Sequence, residues 1–441
     1  MSYTTGNTSA QFVDMATIQA SPYAPFLTAC DKNSRAFFVR VYEKACPFSQ
    51  QPQLLSNQSG THTANSSLRW RLPRTADYIN GVFLQISQTG AVADQAQSVN
   101  TAHKYIKEIK ILFNDMIAQK IDQAVLDLAQ NVHVPNSQKV AYSTMTNGVL
   151  VDHNMNAGQT GIPTPQNACG LDNNGKKLEL FLPLPLWFSQ PGNSGAALPI
   201  AATPYNDIQI EVDTASSFDN VLQGDAGAPS NVKFSLWANS IVVSNEERSA
   251  MACTPRDVLM RQYEHQALAS QAAGSRVSSS LLFNGALSAL YFGARANVAN
   301  ASNEFQTQTA GGDRSYYGDS AGVSLIREAS LRYENSERLG NMPSGYFELV
   351  QPHYHALGSG NSGWRDAGKL MYSFCLDVNS YDHTGYVDFG KLNGVTLETL
   401  LSNEVGHSGL SMGSKLLDVE VVAEKLNVGR FSGGAFGMPV L

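Results

Sequence analysis

The clearest hydrophobic pattern in the chain runs from Leu178 to Asp213. Leu178 to Phe188 is almost wholly apolar, yet too short and proline-rich for a buried helix, which predicts a strand covered on both faces. Pro191-Gly192 and Ser194-Gly195 then stop the strand and turn the chain. From Ile208 to Asp213 the alternation is strict, with Ile208, Ile210 and Val212 on one face and Gln209, Glu211 and Asp213 on the other. The two strands are expected to form a hairpin. Pro183 and Pro185 cannot donate to a ladder, so the first strand is expected at a sheet edge or beside a bulge.

Similar patterns recur on either side. Strands are predicted at Ala36–Tyr42, Leu68–Leu72, Gly81–Ile86, Ile106–Phe113 and Val232–Val243, with a polar stretch between the first of them and Ser67. After a turn at Asn114-Asp115 the period changes. Ile121, Ala124, Val125 and Leu128 fall at helical spacing, and Pro135 stops the helix they predict. A loop is expected from about Thr144 to Gly175. In the second half, strands are predicted at Ser279–Asn284, Ala289–Gly293, Leu325–Tyr333, Tyr346–Val350, Leu370–Leu376, Val395–Leu397 and Leu416–Ala423. Residues 1 to about 29 show no sustained periodicity and read as an arm.

The two halves repeat each other. Ile106–Phe113 aligns with Ile326–Tyr333 at an offset of 220, Lys177–Leu182 with Lys369–Phe374 at 192, and Asn206–Glu211 with Asn393–Glu398 at 187. Three matches in one order predict duplication of an all-β domain of roughly 200 residues. Strands without βαβ alternation point to a sandwich or jelly roll. The domain division expected is an arm at 1–29, a first barrel at 30–247, a linker at 248–259 and a second barrel at 260–441.

Composition sharpens this picture. A chain of 441 residues is too long for one growing core. Only 15% of residues are charged, and 36 glycines with 18 prolines suit a turn-rich β protein. With 30 basic against 37 acidic residues and no basic run, direct nucleic-acid binding is not expected. Five widely spaced cysteines predict reduced, buried thiols. The opening Met-Ser-Tyr-Thr-Thr predicts no signal peptide, and no apolar run approaches the ~20 residues of a membrane span. Without a secretory route, the sequons at Asn7, Asn57, Asn65 and Asn300 read as chance matches.

Candidate chemistry is sparse. Gly358–Gly363 fits Gly-x-Gly-x-x-Gly, but a strand rather than a helix is expected after it, so it reads as a surface loop. His353 and His355 could share one face of a strand as metal ligands, but no third ligand lies near. Asn114-Asp115 and Asp172–Gly175 lack calcium-loop spacing, and Glu246-Glu247 beside Arg248 is solvated charge. No catalytic, cofactor-binding or metal residue is expected. Three classes remain: an assembling structural protein, a tandem jelly-roll lectin, or a β-sandwich glycosidase, which would need carboxylates about 5–10 Å apart.

The residues then resemble the double jelly-roll major capsid proteins of nucleocytoplasmic large DNA viruses, especially the iridovirus type. The most specific part is Leu182-Pro-Leu-Pro-Leu-Trp-Phe188, followed by a Pro/Gly turn, Leu198-Pro199 and Pro204-Tyr-Asn-Asp-Ile208. Phe37–Tyr42, Glu246–Met251, Ser330–Asn335, Leu370–Phe374 and Arg430–Leu441 resemble further parts. The turn before Leu198 is longer and more polar than usual in the family, and Phe431-Ser-Gly-Gly stands where many relatives have a methionine-rich glycine run. The resemblance implies two tandem eight-stranded jelly-roll barrels with short connecting helices. It also implies homotrimeric, pseudo-hexagonal capsomers tiling an icosahedral virion shell, assembled in the host cytoplasm. The shell would surround an internal membrane it does not span and would contact neighbouring capsomers, minor capsid proteins and penton proteins, but not the genome. Pro183, Pro185, Trp187, Phe188, Pro191, Leu198, Pro199, Tyr205 and Asn206 are the structural signature it marks.

Overall fold

The computed structural model describes residues 42, 45–89, 100–146, 177–190, 194–218, 221, 231–297, 324–334, 336–356, 368–402 and 416–438. Expectations for Pro191, the arm, most of Ala36–Tyr42, the loop beyond Thr146, Gly358–Gly363, Cys30, Cys169, Asn7 and Asn300 lie outside them; Tyr42 itself is outside any strand.

The first ten strands are β1 (Phe48–Leu54), β2 (Asn57–Ser59), β3 (Ser67–Arg71), β4 (Tyr78–Thr89), β5 (Ile106–Phe113), β6 (Met116–Asp122), β7 (Lys177–Pro183), β8 (Leu198–Pro199), β9 (Ile208–Thr214) and β10 (Val232–Val243). They form two sheets, ordered β1-β10-β4-β7 and β2-β3-β9-β5-β6, with β8 pairing β4. Alternation decides which residues fill the space between them. Leu68 and Trp70 of β3, Leu84 and Ile86 of β4, Ile210 and Val212 of β9 and Phe234 and Leu236 of β10 all point inward and are buried. The β5–β6 hairpin turns on Asn114 and Asp115, both left-handed (φ 47° and 67°), the geometry a two-residue turn requires and these side chains tolerate.

The next ten are β11 (Arg256–Ala272), β12 (Arg276–Leu281), β13 (Ala286–Asn297), β14 (Ile326–Tyr333), β15 (Ser336–Pro343), β16 (Leu370–Ser373), β17 (Val387–Asp388), β18 (Val395–Leu401), β19 (Leu416–Ser432) and β20 (Ala435–Gly437). Their sheets run β11-β19-β13-β16 and β12-β18-β14-β15, with β17 on β13 and β20 on β19. Apart from β2 and β20, this is the order of the first set, and the registers agree as well. Phe113 pairs with Ile208 and Ile111 with Ile210, as Tyr333 pairs with Val395 and Leu331 with Leu397. Both ladders slip at one place, between Ile106 and Glu108 and between Ile326 and Glu328. The repeat seen in the sequence is therefore a pair of eight-stranded jelly rolls.

Several expectations need correction. The strands at Leu178–Phe188 and Ile208–Asp213 do not form a hairpin: β7 pairs with β4, whereas β9 pairs with β3 and β5 in the opposite sheet. Their connection crosses the barrel, so the two strands face each other through the core. β7 is an edge strand, consistent with its prolines, but only one of its faces is fully covered: Leu180 and Leu182 are buried while Phe181 and Pro183 are half-exposed. The polar stretch before Ser67 contains β1 and β2, and Phe48–Leu54 is solvent-exposed almost throughout. Ile121 belongs to β6, which precedes the expected helix. Tyr346–Val350 is a π-helical turn rather than a strand. Of the described cysteines, Cys46 and Cys253 are exposed and only Cys375 is buried; Cys253 ends a helix with no buried residue.

The helices are α1 (Thr101–Lys104), α2 (Gln123–Leu128), α3 (Gln130–His133), α4 (Asn136–Thr146), α5 (Asn245–Cys253) and α6 (Gln351–His355). α2, α3 and α4 lie in the β6–β7 connection, α5 links the two barrels, and α6 follows the π-helical turn in the β15–β16 connection. His353 and His355 sit on α6, where residues two apart point away from each other, so they do not form a ligand pair. Among the described residues no group of three His, Cys, Asp or Glu side chains is placed to hold a metal, and no helix is long and apolar enough to cross a membrane.

Candidate functional site: the junction between the barrels

A β-sheet with two apolar faces needs a cover on each. The inner face of β11-β19-β13-β16 closes the second barrel with Leu290, Phe292, Val419 and Val421. Its outer face carries Met260, Tyr291, Met371 and Val422, and these join the core of the first barrel instead. The cover is the β6–β7 connection. α2 is buried nearly all round (Ala124, Val125, Leu126, Asp127, Leu128) because it touches β5 and β6 on one side and β11, β13 and β19 on the other.

A polar network crosses this junction. Glu424, pointing outward from β19, is 1% exposed. Its Oε2 accepts hydrogen bonds from His133 Nε2 of α3 at 2.9 Å and from the Tyr291 hydroxyl at 3.0 Å. Arg261 Nε lies 3.5 Å from Glu424 Oε1, and another guanidinium nitrogen donates to His133 Nδ1 at 3.4 Å. Burial alone would push the Glu424 carboxyl up, but His133 and Arg261 outweigh it and hold the group down at about 2. Gln119 of β6 bridges further: its Nε2 donates to the Arg261 carbonyl at 2.9 Å and its Oε1 accepts the Trp187 N–H at 3.1 Å. Each buried charge has a partner, as burial at this depth demands.

Beside the network lies an aromatic lock. Phe436 of β20 packs 4.2 Å from Phe113, 4.9 Å from Phe431 and 6.2 Å from Trp187, measured between ring centroids. Its N–H donates to Asn206 Oδ1 at 2.9 Å, and the Gly434 carbonyl accepts from the Tyr205 N–H at 3.2 Å. Gly434 is left-handed (φ +81°), and a Cβ there would fall 2.7 Å from the Tyr205 ring. At the linker, α5 is capped by Ser244, whose side chain accepts from the Glu247 N–H. Arg248 grips the buried Asp77 with two bonds, 2.6 and 2.9 Å, and this pairing holds the Asp77 carboxyl below its ordinary range.

The marked residues fall into groups. Trp187, Tyr205 and Asn206 meet the C-terminal hairpin. Phe188 packs edge-on against Trp187 at 5.1 Å. Pro183 and Pro185 line a cavity of about 310 Å³ with Leu184, His133, Tyr142, Arg261 and Tyr263. Leu198 and Pro199 pair with Ile79 and Tyr78 in the first barrel's own sheet. Sequence reasoning missed Gln119, His133, Arg261, Tyr291 and Glu424. One signal was present: Glu424 ends an apolar run, Val421-Val-Ala423, where a charge with no solvated face implies a buried partner. The charges at this junction are spent on one another, so its chemistry is that of a weld.

The comparisons agree with this architecture. A family described as "Major capsid protein N-terminus" matches residues 36–245, and one described as "Large eukaryotic DNA virus major capsid protein" matches 247–437. The major capsid protein of Costelytra zealandica iridescent virus is 28% identical, with 100% of each chain covered. That of Invertebrate iridescent virus 6 is 29% identical, again with 100% of each covered, and that of Lymphocystis disease virus 1 is 29% identical over 92% of this chain and 93% of its own. Among solved structures, VP54 of PBCV-1 superposes with a TM-score of 0.74 at 17% identity, covering 92% of this chain and 100% of that one. The Faustovirus major capsid protein superposes at 0.65 and 12% identity, covering 90% and 92%. These homologues and this fold are those of structural capsid proteins, not enzymes. The two welded jelly rolls, each matched by its own half of the family, place the chain among the major capsid proteins of large eukaryotic DNA viruses, of the iridovirus type.

Proposed function

We propose that this virion capsid protein trimerises into pseudo-hexagonal capsomers that tile an icosahedral shell around an internal membrane, with assembly in the host cytoplasm. The observation that carries the reading is the shared strand order and register of the two barrels. Three chains would supply six near-equivalent barrels, and cyclic closure is the common outcome for such protomers. Neighbouring capsomers, minor capsid proteins and penton proteins are the expected partners. With a net charge of −7, the chain is not expected to contact the genome. We divide it into an arm (1–29), a first barrel (30–247), a linker (248–259) and a second barrel (260–441). Pro183, Pro185, Trp187, Phe188, Pro191, Leu198, Pro199, Tyr205 and Asn206 set the shape of the first barrel in this reading.

Light scattering and negative-stain microscopy of the purified protein test the reading. Three-fold particles with a hexagonal outline are expected, and a stable monomer at micromolar concentration under assembly-permissive conditions would sink it.

A further inference from the structure

The internal duplication carries an unmated copy of the junction. Inside the chain, the sixth strand of the first barrel (β6) and the helices after it cover the first strand (β11) and outer sheet face of the second barrel. The counterparts of both surfaces are open. The counterpart of β6 in the second barrel, β15, is a largely exposed edge, and the turn and helix after it present Leu349, Val350 and Tyr354 at 54%, 41% and 66% exposure. The first strand of the first barrel, β1, is an exposed edge with Phe48 and Leu54 in solvent. Beside it the outer face of β10, β4 and β7 carries a half-buried ladder in which Phe83 lies 6.2 Å from Trp237 and 6.3 Å from Phe181.

We infer that β15 and the Tyr346–His355 segment of one copy dock on β1 and the Phe83–Phe181–Trp237 face of a second copy, in a contact with an aromatic centre. The inference rests on the trimer reading and deepens it by naming the mated surfaces. The in-chain weld supplies the template, since it joins the same strands of the same repeat. Open apolar surfaces on both sides supply the driving force. Head-to-tail pairing uses two different patches and leaves none over when a ring closes.

The chemistry of the two contacts differs. The repeat aligns Leu180 with Tyr372, which pair with Ile86 and Leu290; Phe234 and Ala423 pair with those two from the other side, so the position of Glu424 in the second barrel is held by Ser235 in the first. No buried carboxylate therefore awaits a histidine and an arginine. The contact between copies has no counterpart of the buried Glu424–His133–Arg261 network; the charges it does bring, Glu337 and Arg338 of β15, are exposed, where ion pairs contribute little.

The test uses the full-length protein. Leu349→Glu with Tyr354→Glu changes two solvent-exposed side chains and should convert the trimer to monomer by light scattering, while Tyr386→Glu, equally exposed elsewhere, should not. A photo-reactive phenylalanine at position 354 of the otherwise unchanged chain should cross-link to peptides containing Phe48–Leu54, Phe83, Phe181 or Trp237 of another copy. Raising sodium chloride from 0.1 to 1 M should leave the trimer intact. A wild-type monomer overturns the trimer reading itself. A trimer that persists in the double variant and cross-links elsewhere overturns only this surface, and dissociation at high salt overturns the view that apolar burial holds it.

Discussion

The ring of Phe436 lies over the indole of Trp187 with their planes 13° apart, joining the C-terminal hairpin to the first barrel. Trp187 is 2% exposed and also touches Phe113 and Phe188. Trp187→Ala should cost about 3–5 kcal/mol, the range for large core truncations. A denaturant midpoint corresponding to less than about 1 kcal/mol would mean that the site collapses to fill the hole.

Gly434 should resist substitution for two separable reasons. Its left-handed backbone costs a β-carbon roughly 1–2 kcal/mol, and the Tyr205 ring occupies the space that carbon would take. Gly434→Ala should therefore be destabilising. The same change in a Tyr205→Ala background should cost less, and equal costs in a double-mutant cycle would rule out the ring contact.

Glu424 makes the junction sensitive to acid. Its carboxyl titrates at about 2 when folded against an ordinary 4.5, so the unfolded chain takes up the proton first as pH falls. The stability it contributes, on the order of 3 kcal/mol, is complete above about 4.5 and fades between there and 2. Urea unfolding across this window should show the decline, and Glu424→Gln should start less stable and decline less. A parallel decline in both proteins would assign the acid sensitivity to other carboxylates.

Lys104 gives a slope of the same sign in a separate, alkaline window. Burial lowers its ammonium to about 7, only partly offset by Asp127. Between 7 and 10.5 the unfolded chain holds a proton the folded chain has released, so stability should rise with pH. Lys104→Met should abolish that rise. Urea midpoints at pH 7 and pH 9.5, compared between the two proteins, measure it.

How much of this was legible in the sequence depended on where each strand sits. β9 and β10 were readable because apolar residues recur at every second position over much of each, and β5 because it is an apolar run of strand length. β1 and β15 were not, because both are exposed edges whose residues answer to solvent rather than to a core. β6 was obscured by Gln119, a buried polar residue that breaks the alternation to serve the junction. The Tyr346–Val350 turn shows the limit of short apolar runs, which fit a strand and a helix equally well. Pairing was less accessible than the strands themselves. Nothing local in β7 or β9 says that their connection crosses from one sheet to the other. The weld was hidden for a related reason: His133 and Glu424 are 291 residues apart, and only the second barrel's outer sheet face brings them together.

The aromatic lock also bears on how the protein is made. Phe436 follows Trp187 by more than half the chain, yet it completes the packing around that indole. A ribosome delivers the first barrel long before the residue that seals its base. Until then Trp187 and Phe113 lack their cover, and a prematurely ended chain would keep that apolar patch open. Losing the last strand would thus change the surface of the first barrel as well as the length of the second.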